Sequence, residues 1–494
     1  MNDVLWFIAV PSAVVWLSVL AIRPRWLASL SIVLVIVQFN WFNRYYDVPP
    51  YFNRLSLVLI GLLGAVLLVR HLAGDSVRLA APMLRPVMYL GFFFICLTLV
   101  SNFYNGEDLI LGFFELRYYF AGFVLTYALY TYFGPALDIK LFKKAIVYIA
   151  LVQLPFTALQ FMSAEGGASR TLDSVTGTFS VYTELVACQI LAIGLLLTDK
   201  LIRNENTIRF NSYLVVFVLL VPLLLSKSKM ATAFVVMIIV FCWIYSGISR
   251  KNAGVVIQHF YTMGMLVTVA GVLFHSFFWE RLNFQKYLEP QAVYEYFTVQ
   301  PTIDYGEVEW IKARRLGRLS AITESVTHVS KDPVTAVIGY GSGAVSVSAA
   351  LDREGRLYQG PGFGPLAGIN RNQYSKTIME FGLAGILGFV LFFVALYRKT
   401  ERMPLRREIR AVLSTIVVCL IPMSFYGLTL GTFYMSFVVA FFVATVQCEA
   451  DRKWFVARGS RWHAGRRWSK ARRAARVRLE PRLASPQTRP PVTS

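Results

Sequence analysis

Asn370-Arg371-Asn372-Gln373-Tyr374-Ser375-Lys376, followed by Met379-Glu380-Phe381-Gly382, stands where a long polar segment runs into an apolar one. That polar segment, residues 279–380, is the only long one between hydrophobic runs. The chain before it reads as membrane scaffold, and most of the chain after it reads as closure and anchor. One wall of any active site is expected here.

Working outward, the 494 residues are 56% hydrophobic and 16% charged, and the apolar residues fall in long uninterrupted runs. A run of about 20 apolar residues matches the hydrocarbon thickness of a bilayer at 1.5 Å rise per residue. The ~10-residue alternating segments of a membrane barrel are absent. The expected fold is an all-α polytopic transmembrane helical bundle. Its spans are expected at roughly 4–22, 26–43, 54–70, 85–102, 109–133, 143–162, 182–199, 212–226, 229–247, 254–278, 377–397, 409–426 and 430–447, thirteen in all. The chain thus divides into a bundle of ten spans (1–278), a large loop (279–376), three closing spans (377–447) and a basic tail (448–494). No cleaved signal is expected, since Asp3 precedes the first apolar run and Arg23 and Arg25 follow it.

Orientation follows from Lys and Arg in the short loops. One alternate set holds Arg23/Arg25, Arg70/Arg78/Arg85, Lys140/Lys143/Lys144, Lys200/Arg203/Arg209, Arg250/Lys251 and Arg398/Lys399/Arg402/Arg406/Arg407. It ends in the tail, where thirteen Lys and Arg stand against three Asp and Glu, +10 of the net +21. This set is expected in the cytoplasm, with the N-terminus and the large loop outside. Trp454, Trp462 and Trp468 among the arginines suit an anionic headgroup layer. The basic charge therefore reads as a membrane anchor, and no nucleic-acid partner is expected.

Within the loop, residues 307–331 have the composition of a helix carrying Arg314, Arg315 and Arg318, with Pro333 expected to stop it. Gly339-Tyr340-Gly341-Ser342-Gly343 reads as a flexible turn; without a following Lys-Ser/Thr it is not a nucleotide-binding loop. Residues 355–370 have neither helical nor strand period. His275 and His328 lack carboxylate or cysteine neighbours at metal spacing, so no metal is expected. The five cysteines sit in or beside spans without paired spacing and read as packing residues.

Charges in unexpected places are the informative ones. Glu115 and Arg117 lie inside the fifth span, where a charge costs about 2.5–3.5 kcal/mol to insert. They fit either a local ion pair or a cavity-facing site. Lys227 and Lys229 sit at an outer hairpin against the positive-inside bias, as a polar turn or as an anion site. Glu380 opens an apolar run, where the helix macrodipole tolerates a carboxylate; the sharper reading is a general base or a ligand for sugar hydroxyls. Tyr340, Tyr358, Phe363 and Tyr374 read as loop packing or as platforms for sugar rings.

Four segments together resemble the O-antigen polymerase/ligase family of bacterial envelope glycosyltransferases. They are Val175-Thr176-Gly177-Thr178-Phe179 before the seventh span, and Leu225-Ser226-Lys227-Ser228-Lys229 at a hairpin. Arg318, Pro333 and Gly339-Tyr340-Gly341 follow in the loop, and then Asn372-x-Tyr374 with Glu380-x-Gly382-x-x-Gly385 at its exit. The match covers residues 170–390. The resemblance implies metal-independent, inverting transfer of a glycan from undecaprenyl pyrophosphate, without cofactor, beside a chain-length regulator and a flippase of the same pathway. It places Lys227 and Lys229 on a phosphate-binding turn and Arg318 on the loop arginine. Arg170, Arg117 and Tyr374 are then expected to join them in holding pyrophosphate and sugar. Glu380, Arg371 and Asn372 fall at the catalytic positions. Arg371 stands where many members carry a His, and a guanidinium cannot act as a base near neutral pH. Polymerisation of lipid-linked repeat units is the expected activity. Ligation of a finished glycan and, in another class, transport of a lipid-linked sugar are the alternatives.

Overall fold

The computed structural model describes residues 18–19, 21–38, 55–74, 81–164, 175–179, 181–202, 210–226, 315–348, 351–359, 372–401, 403, 406–427 and 432–452, with isolated positions between 234 and 300. The described chain is mostly helical. Six helices are long and apolar enough to cross a membrane, or seven if one bent pair counts as a single span. The expected count of thirteen exceeds this. The runs at 4–22, 229–247 and 254–278 fall wholly or largely outside the described residues, and three further apolar helical stretches, Pro24–Ile36, Tyr182–Thr198 and Leu214–Leu225, are shorter than 18 residues.

In chain order the helices are α1 (Pro24–Ile36), α2 (Leu55–Leu72), α3 (Arg85–Asn105), α4 (Leu109–Glu115), α5 (Arg117–Phe133), α6 (Ile139–Ala164), α7 (Tyr182–Ile202) and α8 (Phe210–Leu225). The polar segment adds α9 (Arg318–Val329) and α10 (Pro333–Ile338), and α11 (Gln373–Thr400), α12 (Arg406–Tyr426) and α13 (Phe433–Arg452) follow. Buried residues make up 72% of the apolar window of α13 against 28% for α2, so α13 is central and α2 peripheral. Phe142, Phe179, Tyr434 and Phe442 fill the centre of the core. Pro155, Pro222 and Pro422 lie inside continuous helices. Neighbouring groups re-satisfy the freed carbonyls of such prolines in membrane helices.

Two breaks matter for function. Asp108 caps α4 by accepting from the amides of Ile110 (2.8 Å) and Leu111 (3.4 Å). The chain then bends by 48° between α4 and α5 at Leu116. The second break divides α11 at Gly382, whose φ of 60° and ψ of −156° are non-helical. That region is essentially open to glycine alone.

The described part of the polar segment is packed, not structureless. Pro333 does not merely end a helix: Asp332 accepts from the Thr335 amide at 2.8 Å, and Pro333 occupies the first turn of α10. Proline suits that place because the first-turn amides have no helical partner anyway. The expected helix over 307–331 is found in part: α9 covers Arg318–Val329, Arg315 and Leu316 form a short strand instead, and 301–314 lie outside the described residues. Short antiparallel pairs flank it: β1 (Val299–Gln300) with β2 (Arg315–Leu316), and β3 (Val347–Ser348) with β4 (Arg353–Glu354). Both α9 and α10 pack on α11.

Candidate functional site

The site begins with the Gly382 break. Leaving the helix there frees the carbonyls of Met379 and Glu380, which would be costly to bury unpaired. The Gly339–Gly343 turn supplies the donors: Tyr340 N–H to Met379 O at 2.8 Å and Gly341 N–H to Glu380 O at 3.0 Å. Such contact demands bare backbone on both sides. A Cβ on Gly382 would lie 2.5 Å from Val337 O, and one on Gly339 would strike the Glu380–Phe381 peptide. The turn that reads from sequence as merely flexible is therefore a buried plug.

The bundle grips the other side of that turn. The Ser101 hydroxyl and the Asn105 amide both donate to Gly339 O at 3.1 Å, and Asn102 Nδ2 donates to Ser342 O at 3.0 Å. Ser342 Oγ returns a bond to Gly112 O at 3.0 Å. Val329, Val345 and Met379 form a small apolar cluster behind it.

Beneath the plug lie four charged side chains. Lys376 Nζ donates to Glu115 Oε2 at 2.6 Å and stands 3.8 Å from Glu380 Oε1. Arg117 Nη1 pairs with Glu115 Oε1 at 3.0 Å and also bonds Phe114 O at 2.8 Å. The Arg117 guanidinium lies over the rings of Phe114 and Tyr118, at 4.1 and 4.4 Å from their centroids. Glu380 Oε1 accepts from the Gly343 amide at 3.1 Å and the Ser346 hydroxyl at 3.0 Å. Tyr119 Oη accepts from Gln373 Nε2 at 3.4 Å.

Two carboxylates thus face two cations in a charge-balanced quartet. Its side chains are nearly buried on the acid side (Glu115 7%, Glu380 2% exposed) and partly open on the basic side (Lys376 17%, Arg117 20%). Intramembrane charges of this kind pair with one another and mark functional sites. Beside Arg117 an open groove is lined by Leu57, Ile60, Ile110, Phe113 and Val124. Among the described residues, no three His, Cys, Asp or Glu side chains gather as metal ligands.

Of the residues expected from sequence, Arg117 and Glu380 meet in this quartet. Asn372 sits just beside it with a positioning role: its side chain caps α11 through the Ser375 amide (2.8 Å) and donates to Arg318 O (3.1 Å). Only the backbone of Arg318 takes part in that contact. Tyr374 points elsewhere, its hydroxyl on Ile421 O at 2.9 Å. Arg170, Lys227, Lys229 and Arg371 lie outside the described residues. Lys376 is the member that sequence reasoning misses, although its i,i+4 spacing to Glu380 at the mouth of an apolar run is a visible signal.

Two ion pairs latch the rim. Arg353 pairs with Asp108, and Arg356 approaches Glu107 at 3.9 Å while its amide donates to Glu107 Oε2 at 3.3 Å. Slight burial works to raise the Asp108 carboxyl, but Arg353 and the Ile110 and Leu111 amides hold it below the usual 3.8. Burial pushes Glu107 above the usual 4.5, against the pull of Arg356. A depressed carboxyl stabilises docking above its undocked value and loses that contribution as pH falls through the docked one; a raised carboxyl does the reverse. The two latches therefore oppose each other under acid. Arg353→Ala is expected to cost below about 1 kcal/mol of docking, because the pair is partly exposed and screened by solvent. Asp108→Ala, which also removes the α4 cap, is expected to cost about 1 kcal/mol more. Amide exchange across residues 339–357 measures both.

Set against protein-family models and against curated proteins, the chain matches none.

Proposed function

We propose that this chain is a membrane glycosyltransferase that polymerises undecaprenyl-pyrophosphate-linked repeat units at the outer face of a bacterial inner membrane. The observation that carries the reading is the convergence of Arg117, Lys376 and Glu380 directly beneath the Gly339–Ser346 plug. Loop and bundle build one site, as a lidded transferase needs. The apolar groove beside Arg117 suits a lipid carrier whose pyrophosphate meets the cations. In this reading the chain has thirteen spans, with the N-terminus and the large loop outside and the basic tail inside.

The acceptor sugar's hydroxyl oxygen attacks the anomeric carbon of the lipid-linked glycan, and its proton passes to the departing pyrophosphate. The bond from that carbon to pyrophosphate breaks, and its electron pair leaves on the phosphate oxygen. Arg117 and Lys376 stabilise the charge that develops there, joined by Lys227 and Lys229 on the strength of the family resemblance and by Arg170 and Arg371 as further cations. Glu380 is sealed under Gly343 and Ser346, which fits a residue that positions Lys376 better than one that meets the acceptor.

The transport alternative draws on a specific feature, because two broken helices meeting at buried charges is also how transporters build sites. One experiment separates the readings. Cells carrying Arg117→Ala or Lys227→Ala at normal membrane abundance are expected to lose long-chain polysaccharide and accumulate single lipid-linked repeat units. Full-length chains stranded on the carrier would indicate ligation instead. Wild-type protein in liposomes that moves substrate without elongating it would overturn the proposal in favour of transport.

A further inference from the structure

The charge balance beneath the plug constrains how an anion can enter. Glu115 and Glu380 already neutralise Arg117 and Lys376. A lipid-linked glycan carries its pyrophosphate as a diester, with two fixed negative charges and no proton to give up near neutral pH. Placing it on these cations would leave the quartet, taken by itself, at a net charge of about two negatives, which a low-dielectric setting strongly disfavours; the further cations of the proposed site would offset the diester's overall charge but would not restore the counter-ion of enclosed Glu380.

The two carboxylates are not equivalent in their capacity to relieve this. Glu115 is held by both cations, at 3.0 and 2.6 Å. Among the described residues, Glu380 has one cation, Lys376 at 3.8 Å, and otherwise only neutral donors, the Gly343 amide and the Ser346 hydroxyl. The other groups electrostatically coupled to it are Glu115, which ends α4, and Tyr119 of α5. Among the described residues, α3 meets the plug with neutral side chains, Ser101, Asn102 and Asn105. If an incoming anion draws Lys376 toward itself, Glu380 loses that counter-ion while fully enclosed. A hydroxyl can turn from donor to acceptor, so Ser346 is suited to a protonated Glu380 as well as to an ionised one.

We infer that the site binds its pyrophosphate diester together with a proton, and that Glu380 is the group that takes it. This rests on the reading of the quartet as the pyrophosphate site. The step is one proton from solvent onto a Glu380 carboxylate oxygen per diester bound, with no bond in the ligand broken. Anion affinity then falls as pH rises, by about tenfold per pH unit where the free site is ionised.

The test uses the purified full chain in nanodiscs and P1,P2-dimethyl pyrophosphate, a diester probe with no titratable oxygen near neutral pH. Titration calorimetry in two buffers of different ionisation enthalpy is expected to show uptake of about one proton per anion. Glu380→Gln is expected to bind the probe without proton uptake and without pH dependence. Binding by the wild type with no proton exchange, or uptake that persists in Glu380→Gln, overturns the coupling while leaving the anion site standing. No binding to the wild type at any pH removes the site, and the coupling with it. A wild-type affinity that does not fall as pH rises overturns the coupling without any variant that must fold.

Discussion

Lys376→Met is expected to be the most damaging single substitution in the bundle. Methionine keeps the length and apolar stem of lysine, so the loss is one of charge rather than of packing volume. Glu115 would keep Arg117, but Glu380, 2% exposed, would be left with a backbone amide and a hydroxyl. Breaking a buried pair by removing one partner costs about 3–5 kcal/mol, because the remaining carboxylate is either left uncompensated or has to take up a proton to stay enclosed. Thermal unfolding in detergent is expected to show the drop, and transferase activity is expected to vanish. The informative companion is Lys376→Met with Glu380→Gln. Removing both charges is expected to restore much of the stability, as coupled neighbours do in a double-mutant cycle, but not the activity. If Lys376→Met unfolds like the wild type, the quartet is not a tightly coupled buried network.

Lys376 also shows where sequence reading reaches its limit. A lone lysine at the start of an apolar run looks like an edge residue snorkelling to water. Its meaning comes from Glu115, 261 positions earlier, and no local pattern links them. Membrane class, by contrast, is plain in the sequence, because apolar runs of spanning length are a local property. Glu115 and Arg117 are legible as anomalies, yet the 48° bend that aims them is not, since Leu116 looks like ordinary helix in sequence. Asn372 falls at a catalytic position by resemblance, where the structure uses it as a helix cap. Its spacing to Ser375 fits the cap, a local signal with a structural meaning. The plug escapes sequence reading for a different reason. Gly339-Tyr340-Gly341-Ser342-Gly343 reads as flexible because glycine permits many conformations, and only its contact with Gly382 shows that one of them is selected.

That contact carries the second large prediction. Gly382→Val is expected to undock the plug while leaving the rest of the bundle folded. Two effects add at this position. A non-glycine residue in this backbone region pays about 1–3 kcal/mol of strain, and a β-branched one is worse placed than alanine. The new Cβ would also lie 2.5 Å from Val337 O and 2.6 Å from the Gly339 nitrogen, rigid backbone atoms that a rotamer change cannot clear. If α11 straightens to escape, Met379 O and Glu380 O regain helical partners and the Tyr340 and Gly341 amides lose theirs. Glu380 would then also be drawn away from Gly343 and Ser346, so activity is expected to fall with the plug. Hydrogen exchange should rise across 339–346 and stay slow in α12 and α13. Gly91→Ala provides the contrast, since its Cβ would make ordinary contact with Phe123 at 3.6 Å, and alanine favours the helix by about 0.8–1.0 kcal/mol. Unchanged protection of 339–346 in Gly382→Val would mean that the plug is held by α3 and α4 alone, through Ser101, Asn102, Asn105 and Gly112. The break in α11 would then be a consequence of the docked turn rather than its cause.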